Sequence, residues 1–192
     1  MKQSFLDTIS LIKSDMQVRC LYENKPLNSL QVIKFMINPA QVSCVIYRFQ
    51  KFFYCHHLSF IASILKVLNG IIFTVHIDSK TDIGAGLFIM HASFICIGPY
   101  VRIGKNCMLP HQNSICPSPF YSENSTNTYL GPTIGDNFVL GGGGGVYGDI
   151  TLGNDVKVAM NSLVDASYGD GAVLFGVPAK NTVKATQEEG ST

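Results

Sequence analysis

The chain has 192 residues, a length that fits one domain with a hydrophobic core or one domain with a small extension. Hydrophobic residues make up 46% of the chain and charged residues only 14%, which indicates a protein that hides apolar surface in an oligomer or against a membrane. The formal net charge of +1 gives no electrostatic reason to expect nucleic acid as a partner.

The six cysteines are scattered along the chain and form no CxxC pair. With no signal peptide at the N-terminus, this pattern favours a reduced, cytoplasmic compartment. Cys107 occupies a small-residue position of the repeat described below and is predicted to be a core residue. A catalytic thiol is the alternative interpretation for each cysteine.

Residues 1–70 are predicted to form a helical region, because apolar residues recur there at spacings of three and four. A second short segment should stop before Asn38-Pro39, since the residue before proline is pushed away from helical angles. A third segment covers about residues 40–54 and a fourth about residues 58–68, with Asn69-Gly70 as the predicted helix stop.

The third segment is rich in aromatic and basic side chains and has two interpretations. It could cap the first coil of the following domain and cover its unpaired strand edges. It could instead contact a membrane peripherally, at the inner face of the cytoplasmic membrane. No apolar run is long enough to span a bilayer. The residues concerned are Tyr47, Arg48, Phe49, Lys51, Phe52, Phe53 and Tyr54.

From residue 71 onward a large aliphatic residue returns every six positions, and glycine often follows it. This period predicts a mainly β fold, a left-handed parallel β-helix in which three hexads make one coil. Parallel strands of another α/β fold are the alternative, but ordinary strands alternate with period two. The repeat positions are Ile77, Ile83, Ile89, Ile97, Ile103, Leu109, Ile115, Ile134, Leu140, Val146, Leu152 and Val158.

The β-helix is predicted to cover residues 71–180, with a period that fades after Val164 and a disordered polar tail at 181–192. A loop at 117–131, rich in proline, serine and asparagine, interrupts it and is expected to be functional. The glycine run Gly141–Gly145 marks either a position tolerant of small residues or a place where a ligand or another backbone comes close.

The repeat also predicts a histidine pair. One coil is eighteen residues, and the two-residue slip before Ile97 places His111 directly above His91. Adjacent coils are about 4.8 Å apart, so two outward histidines should stack on one face. An aligned pair beside a long loop indicates a functional site.

Four motifs give the sequence a resemblance to a known family. They are IGAGLFIMHASFICIG from Ile83, IGKNCMLPHQNSI from Ile103, PTIGDNFVLGGGG from Pro132 and GVPAK from Gly176. The segment that holds them resembles the hexapeptide-repeat acyltransferases, and within them the branch of the serine O-acetyltransferases and the O-acetyltransferases of capsular and exopolysaccharide gene clusters.

The resemblance implies acetyl transfer from acetyl-CoA to a hydroxyl by direct attack, in a homotrimer whose active sites lie between neighbouring β-helices. It implies that His91 is the general base. His76 stands fifteen residues earlier, where the serine enzymes carry an aspartate. Activation of His91 is then expected to be weaker unless Asp78, Asp82 or a neighbouring subunit supplies the carboxylate.

The acceptor predicted from the sequence is a saccharide, such as a precursor of a capsular polysaccharide, an exopolysaccharide or an O-antigen. Met90 and Gly131 stand where the serine enzymes hold an aspartate and a histidine linked to recognition of the amino acid. Serine O-acetyltransferase of cysteine biosynthesis is one alternative, and a scaffold that has lost catalysis is another. A γ-type carbonic anhydrase, which needs three histidines around zinc, is the remaining one.

For acetyl-CoA, the resemblance implies contacts with the pantetheine arm at Gly142 and Met160. Lys180, within GVPAK, matches the basic position near the nucleotide phosphates, and Lys184 could assist as a point charge. No metal is expected.

Overall fold

The structure is a computed structural model that describes residues 3–118 and 130–182. Polar residues begin the first three helices: Ser4 forms a capping box with Asp7, and the side chains of Asn28 and Asn38 accept first-turn N–H groups. Pro39 occupies the first turn of the third helix, so the predicted break at Asn38-Pro39 is confirmed. The helices are α1 (Phe5–Tyr22), α2 (Ser29–Ile37), α3 (Pro39–Cys55) and α4 (Ser59–Phe73).

The predicted helix stop at Asn69-Gly70 is wrong, because α4 continues to Phe73 and ends at Thr74 in a left-handed conformation. Asn69 is buried and donates to the Ser43 carbonyl at 3.2 Å, which ties this turn to α3. A β-carbon on Gly70 would collide with the imidazole of His76. Gly70 is therefore a packing glycine within the helix and not a terminator.

The described residues after α4 form a parallel β-helix of short strands, which confirms the predicted mainly β fold with an N-terminal helical region. The strands are β1 (Val75–Ile77), β2 (Asp82–Ile83), β3 (Phe88–Ile89), β4 (Ile95–Ile97), β5 (Arg102–Ile103), β6 (Met108–Leu109), β7 (Ser114–Cys116), β8 (Thr133–Ile134), β9 (Val139–Leu140), β10 (Gly145–Tyr147), β11 (Thr151–Leu152), β12 (Lys157–Val158), β13 (Leu163–Val164), β14 (Val173–Gly176) and β15 (Ala179–Asn181).

The strands stack into three sheets that enclose one core. The first sheet has the order β1-β4-β7-β10-β13, the second β2-β5-β8-β11, and the third β3-β6-β9-β12-β14-β15. All twelve aliphatic repeat positions named from the sequence are buried inside the prism. The slip is confirmed by the register, because Val75 pairs with Ile95 whereas Cys96 pairs with Ser114.

The solenoid extends past the point where the sequence period fades. β14 adds to the third sheet beside β12, and β15 folds back antiparallel on β14 and ends the stack. The β-helix therefore does not end at Val164, where the six-residue period of the sequence fades. Most of the predicted loop at 117–131 and most of the predicted tail at 181–192 lie outside the described residues.

The first coil has an open edge that α3 covers. In each coil the backbone N–H groups donate to carbonyls of the next coil, as Asp82 donates to Val101. The carbonyls of the first coil consequently have no strand before them. Side chains of α3 replace that strand: Gln50 donates to Ile77 O at 2.9 Å, Tyr47 to Thr81 O at 3.0 Å, Arg48 to Ile83 O at 2.7 Å and Gln41 to Ile89 O at 2.7 Å.

The helical cap predicted for the aromatic and basic segment is thus confirmed. The structure gives no support to its membrane-contact alternative. None of the helices in the described part of the chain is long and apolar enough to cross a membrane.

A buried ion pair fixes α1 to this cap. Arg48 donates from Nε and Nη2 to the two carboxylate oxygens of Asp15, each at 2.9 Å, and both side chains are almost completely buried. Asp15 Oδ1 also accepts from the backbone N–H groups of Gly86 and Leu87. Because four donors surround the carboxylate, its charge is compensated without water.

Replacing Arg48 by methionine should lower the free energy of unfolding by about 3–5 kcal/mol, because Asp15 is left as an uncompensated buried charge. Urea denaturation followed by circular dichroism measures the change. Lys34→Met, at an exposed position of α2, is the control and should change stability by no more than about 0.5 kcal/mol. A loss at Arg48 as small as that of the control would contradict the role of this pair.

Candidate active site

Four positions lie one above another at the corner between the third and first sheets, one on each coil. We call His91, His111, Gly142 and Met160 the corner row. The backbone bonds from His91 N to Pro110 O, from Gly143 N to His111 O and from Asn161 N to Gly142 O, each of 3.0 Å, fix the stacking. The predicted alignment of His111 with His91, and of Met160 with Gly142, is confirmed.

The two imidazoles of the corner row are in edge-to-face contact. Their ring centroids are 6.1 Å apart and the ring planes are inclined by 66°. His91 is exposed, and within residues 3–118 and 130–182 its side chain makes no hydrogen bond or ion pair. Its ring nitrogens are therefore available to a substrate hydroxyl.

The side chain of His111 packs between the His91 ring and Gly142. Its Nδ1 is buried and has no hydrogen-bond partner in the described part of the chain, which is a costly state for a polar atom. The ring lies over Gly142, where a β-carbon would be 2.6 Å from His111 Cε1. Any side chain at position 142 would therefore displace the His111 imidazole.

The glycine run forms a turn that the sequence did not reveal in full. Gly144 N donates to Gly141 O at 3.0 Å, and Gly143 has a φ of 71°. Asn113, which is buried, donates to Gly141 O at 2.8 Å and holds the turn in place. The predicted close approach of another backbone is found at Gly141, where a β-carbon would lie 2.5 Å from Met160 N, whereas at Gly142 the close neighbour is the side chain of His111. Sequence reasoning missed Asn113, a polar residue between apolar repeat positions.

His76 is placed elsewhere. It lies on β1 of the first sheet, where it pairs with Cys96, and its ring packs against Gly70 of α4. Within the described ranges, no hydrogen bond or ring contact joins it to His91 or His111. The structure therefore brings His91 and His111 together but does not link His76 to them.

Asp78 and Asp82, the two carboxylates suggested as partners of His91, form ion pairs with lysines. Asp78 accepts from Lys66 Nζ at 2.5 Å; burial works against ionisation, but this bond and the Lys80 backbone N–H lower the pKa of Asp78 overall. Asp82 forms an ion pair with Lys51 at 2.6 Å. Neither of the two proposed substitutes for the missing aspartate contacts His91 in the described structure.

Gly131 lies where the backbone leaves no room for a side chain. Gly131 is buried against the neighbouring corner, and a β-carbon there would lie 2.9 Å from the backbone carbon of Tyr100. A histidine could not replace it without a backbone shift. Met90, next to His91, is half-buried.

The predicted cofactor residues lie toward the C-terminal end of the solenoid. Met160 is 72% exposed at the end of the corner row, and Ala159 N donates to Leu174 O of β14. Lys180 is exposed on β15, opposite Phe175. Lys184 lies outside the described residues.

Four of the six cysteines have a shifted thiol pKa or a thiol neighbour. Cys44 and Cys107 are core residues, and burial raises the pKa of each thiol to about 12. A hydrogen bond with Cys96 lowers the pKa of Cys116 to about 6, but both residues belong to the first sheet and not to the corner row. Among the residues that the structure describes, no group of three His, Cys, Asp or Glu side chains could hold a metal ion.

Comparison with known proteins finds serine acetyltransferases among the relatives of this chain. The serine acetyltransferase of Helicobacter pylori strain 26695 is 29% identical over 152 residues, which cover 78% of this chain and 84% of that protein. That of Synechococcus elongatus is 25% identical over 164 residues, 84% of this chain and 64% of that protein. No family model matches the chain.

Solved structures agree on the fold. The Brucella abortus serine acetyltransferase superposes with a TM-score of 0.76 at 22% identity, covering 91% of this chain and 68% of that one. The Neisseria gonorrhoeae enzyme in complex with serine gives 0.78 at 20% identity, with coverages of 94% and 71%. The fold and the serine acetyltransferase relatives together support an acyltransferase built on a hexapeptide-repeat β-helix. Within that class, the proteins named here that it is similar to are serine acetyltransferases.

Replacing Gly142 by alanine should displace the His111 ring and lower the acyl-transfer rate by about tenfold or more, because small misplacements at a reacting site are costly. The matched control is Gly145→Ala in the same glycine run, where a β-carbon would meet the end of the Leu163 side chain at 3.2 Å and Ser114 O at an ordinary contact distance of 3.7 Å. The imidazole NMR signals of His111 report the displacement, and steady-state turnover reports its effect. Equal behaviour of the two variants would refute the packing role of Gly142.

Proposed function

We propose that this protein transfers the acetyl group of acetyl-CoA to the hydroxyl of L-serine, with His91 as the general base. The observation that carries the proposal is the exposed, unpartnered imidazole of His91 at the head of the corner row. Support comes from the serine acetyltransferase relatives, whose similarity includes most of the chain.

The acceptor differs from the one predicted first from the sequence. A saccharide was the leading prediction and serine the alternative, and the relatives favour the alternative. The saccharide prediction depended on Met90 and Gly131, which replace two side chains linked with amino-acid recognition. We propose that these replacements weaken the affinity for serine without changing the reaction.

The proposed reaction needs one proton acceptor and no covalent enzyme intermediate. His91 takes the proton of the acceptor hydroxyl as its oxygen attacks the thioester carbonyl. The carbon–sulfur bond then breaks, and the thiolate of CoA leaves and recovers the proton from the imidazolium. General-base catalysis of this kind contributes roughly 10²–10⁴-fold.

His111 is proposed to position the base. Its ring is held between the His91 ring and Gly142, and the edge-to-face contact limits rotation of the His91 imidazole. His76 has no such contact, and its proposed role is to pack α4 against β1. It cannot supply the negative charge that an aspartate would place near an imidazolium.

Acetyl-CoA is proposed to lie along the C-terminal part of the corner row. Gly142 is buried against the His111 ring, whereas Met160 offers an exposed apolar side chain to the pantetheine arm. Lys180 would meet the nucleotide phosphates, and Lys184 remains a prediction outside the described residues.

The active form is proposed to be a homotrimer. Support comes from the lack of any carboxylate contact to His91 within the described chain and from the exposed apolar side chains of Met160, Phe175 and Val177. Light scattering during size-exclusion chromatography should give a mass of three times 20.9 kDa at concentrations where the enzyme is active. A monomeric mass for the active species would contradict this proposal.

The direct test of function is release of free CoA from acetyl-CoA with L-serine as acceptor. His91→Ala should lower turnover by about 10²–10⁴-fold. His57→Ala, at an exposed position outside the corner row, is the control and should retain full turnover.

Three outcomes would reject parts of the proposal. Unchanged turnover in His91→Ala would remove His91 as the base. Turnover with glycan hydroxyls but none with L-serine would restore the saccharide acceptor. If the native protein failed to bind acetyl-CoA by calorimetry, a scaffold without catalysis would be the better interpretation.

A further inference from the structure

A second concave site lies at another corner of the prism, between the first and second sheets, where α3 meets the β-helix. We call it the basic cleft. Its volume is about 500 Å³, and it is lined by Lys51, Tyr54, Lys80, Asp82, Tyr100 and Arg102. None of these residues belongs to the corner row.

The lining of the basic cleft concentrates positive charge. Three cationic side chains face one carboxylate, a net charge of +2. The whole chain carries only +1, so the rest of the protein sums to −1. A cleft lined by one sign of charge raises the local concentration of ligands of the opposite sign.

Of the three cationic side chains, Lys80 and Arg102 have N–H groups that are free to bind a ligand. Lys51 is already bound to Asp82 at 2.6 Å and to Ser79 O at 3.3 Å. Lys80 donates a single bond, to Tyr100 Oη at 2.9 Å, and this bond raises the pKa of Lys80. Arg102 is exposed on β5, and its guanidinium has no hydrogen bond or ion pair in the described part of the chain.

The cleft also has an apolar continuation. A second cavity of about 270 Å³ shares Lys51, Asp82 and Arg102 with it and is lined further by Leu11 and Ile103. The rings of Tyr54 and Tyr100 stand at the cationic part, each with a lysine nitrogen over its face. The combined space suits a small molecule with an anionic group and an apolar body.

We propose that the basic cleft binds a phosphate monoester. A phosphate monoester carries about −1.5 to −2 charges at pH 7, which complements the +2 of the lining. The unpaired guanidinium of Arg102 can hold two phosphate oxygens, and Lys80 adds a point charge. A single carboxylate would neutralise only half of the charge. The tyrosine rings and the apolar cavity would take the organic part of the ester.

The test is calorimetric titration of the full chain with phenyl phosphate, inorganic phosphate and benzoate at one ionic strength. Phenyl phosphate should bind more tightly than either of the others, because only it has both the dianion and a ring. Lys80→Gln should weaken its binding by about tenfold, the loss of one charged hydrogen bond, and Arg102→Gln by about tenfold or more, since the guanidinium can hold two phosphate oxygens. Lys34→Gln removes the same charge from α2 and should bind as the native chain does.

His91→Ala separates this proposal from the proposed acetyl transfer, since it should lose turnover and yet bind phenyl phosphate unchanged. The proposal is overturned if the native chain gives no binding heat at millimolar phenyl phosphate. It is also overturned if Arg102→Gln binds as well as the native chain, or if benzoate binds equally well. Both cleft residues are exposed, so circular dichroism should confirm that their variants are folded.

Discussion

The open edge of the first coil is the constraint on which this structure depends. A β-helix satisfies the backbone groups of each coil through its neighbours, so the first coil leaves a row of carbonyls without donors. Four side chains of α3 supply those donors, and the buried Arg48–Asp15 pair ties α1 to the same place. The helical region therefore supplies the hydrogen-bond donors that a preceding coil would supply. The helical region and the β-helix stabilise each other through these bonds.

This cap also reaches the proposed base. Gln41 donates to the carbonyl of Ile89, two residues before His91, and Arg48 bonds to the second strand of the same coil. From the other side, His91 N is held by Pro110 O of the next coil. The base consequently lies on backbone fixed from both directions, which is how a rigid scaffold positions an exposed catalytic side chain.

The six-residue period of the sequence predicted the β-helix and the stacking of its residues. It could not predict contacts that depend on where individual side chains point. The hexads determined the prism and the stacking of His111 on His91, because coil arithmetic carries over directly into space. The sequence predicted that a helical segment caps the first coil. It could not predict which carbonyls Gln41 and Gln50 bond, because that depends on the angle at which α3 packs against the coil. Gly70 was misread as a helix stop, since local propensity cannot show that the His76 ring occupies the space beside it. Asn113 carries no local signal of the turn that it holds.

The charges around His91 bear on how an amino acid could be held there. His76 and Met90 stand where the serine enzymes are expected to carry aspartates, and no carboxylate of the described residues contacts His91. The remaining candidates, Asp78 and Asp82, are neutralised by Lys66 and Lys51. In the proposed reaction, the ammonium group of serine therefore has no free carboxylate as a counter-charge among the described residues of this coil. We propose that recognition acts through the serine carboxylate or through a neighbouring copy, whereas the proposed deprotonation of the hydroxyl needs only the imidazole of His91. In this proposal the affinity for serine and the proton transfer to His91 depend on different groups. A weak affinity for serine is therefore compatible with His91 acting as the base.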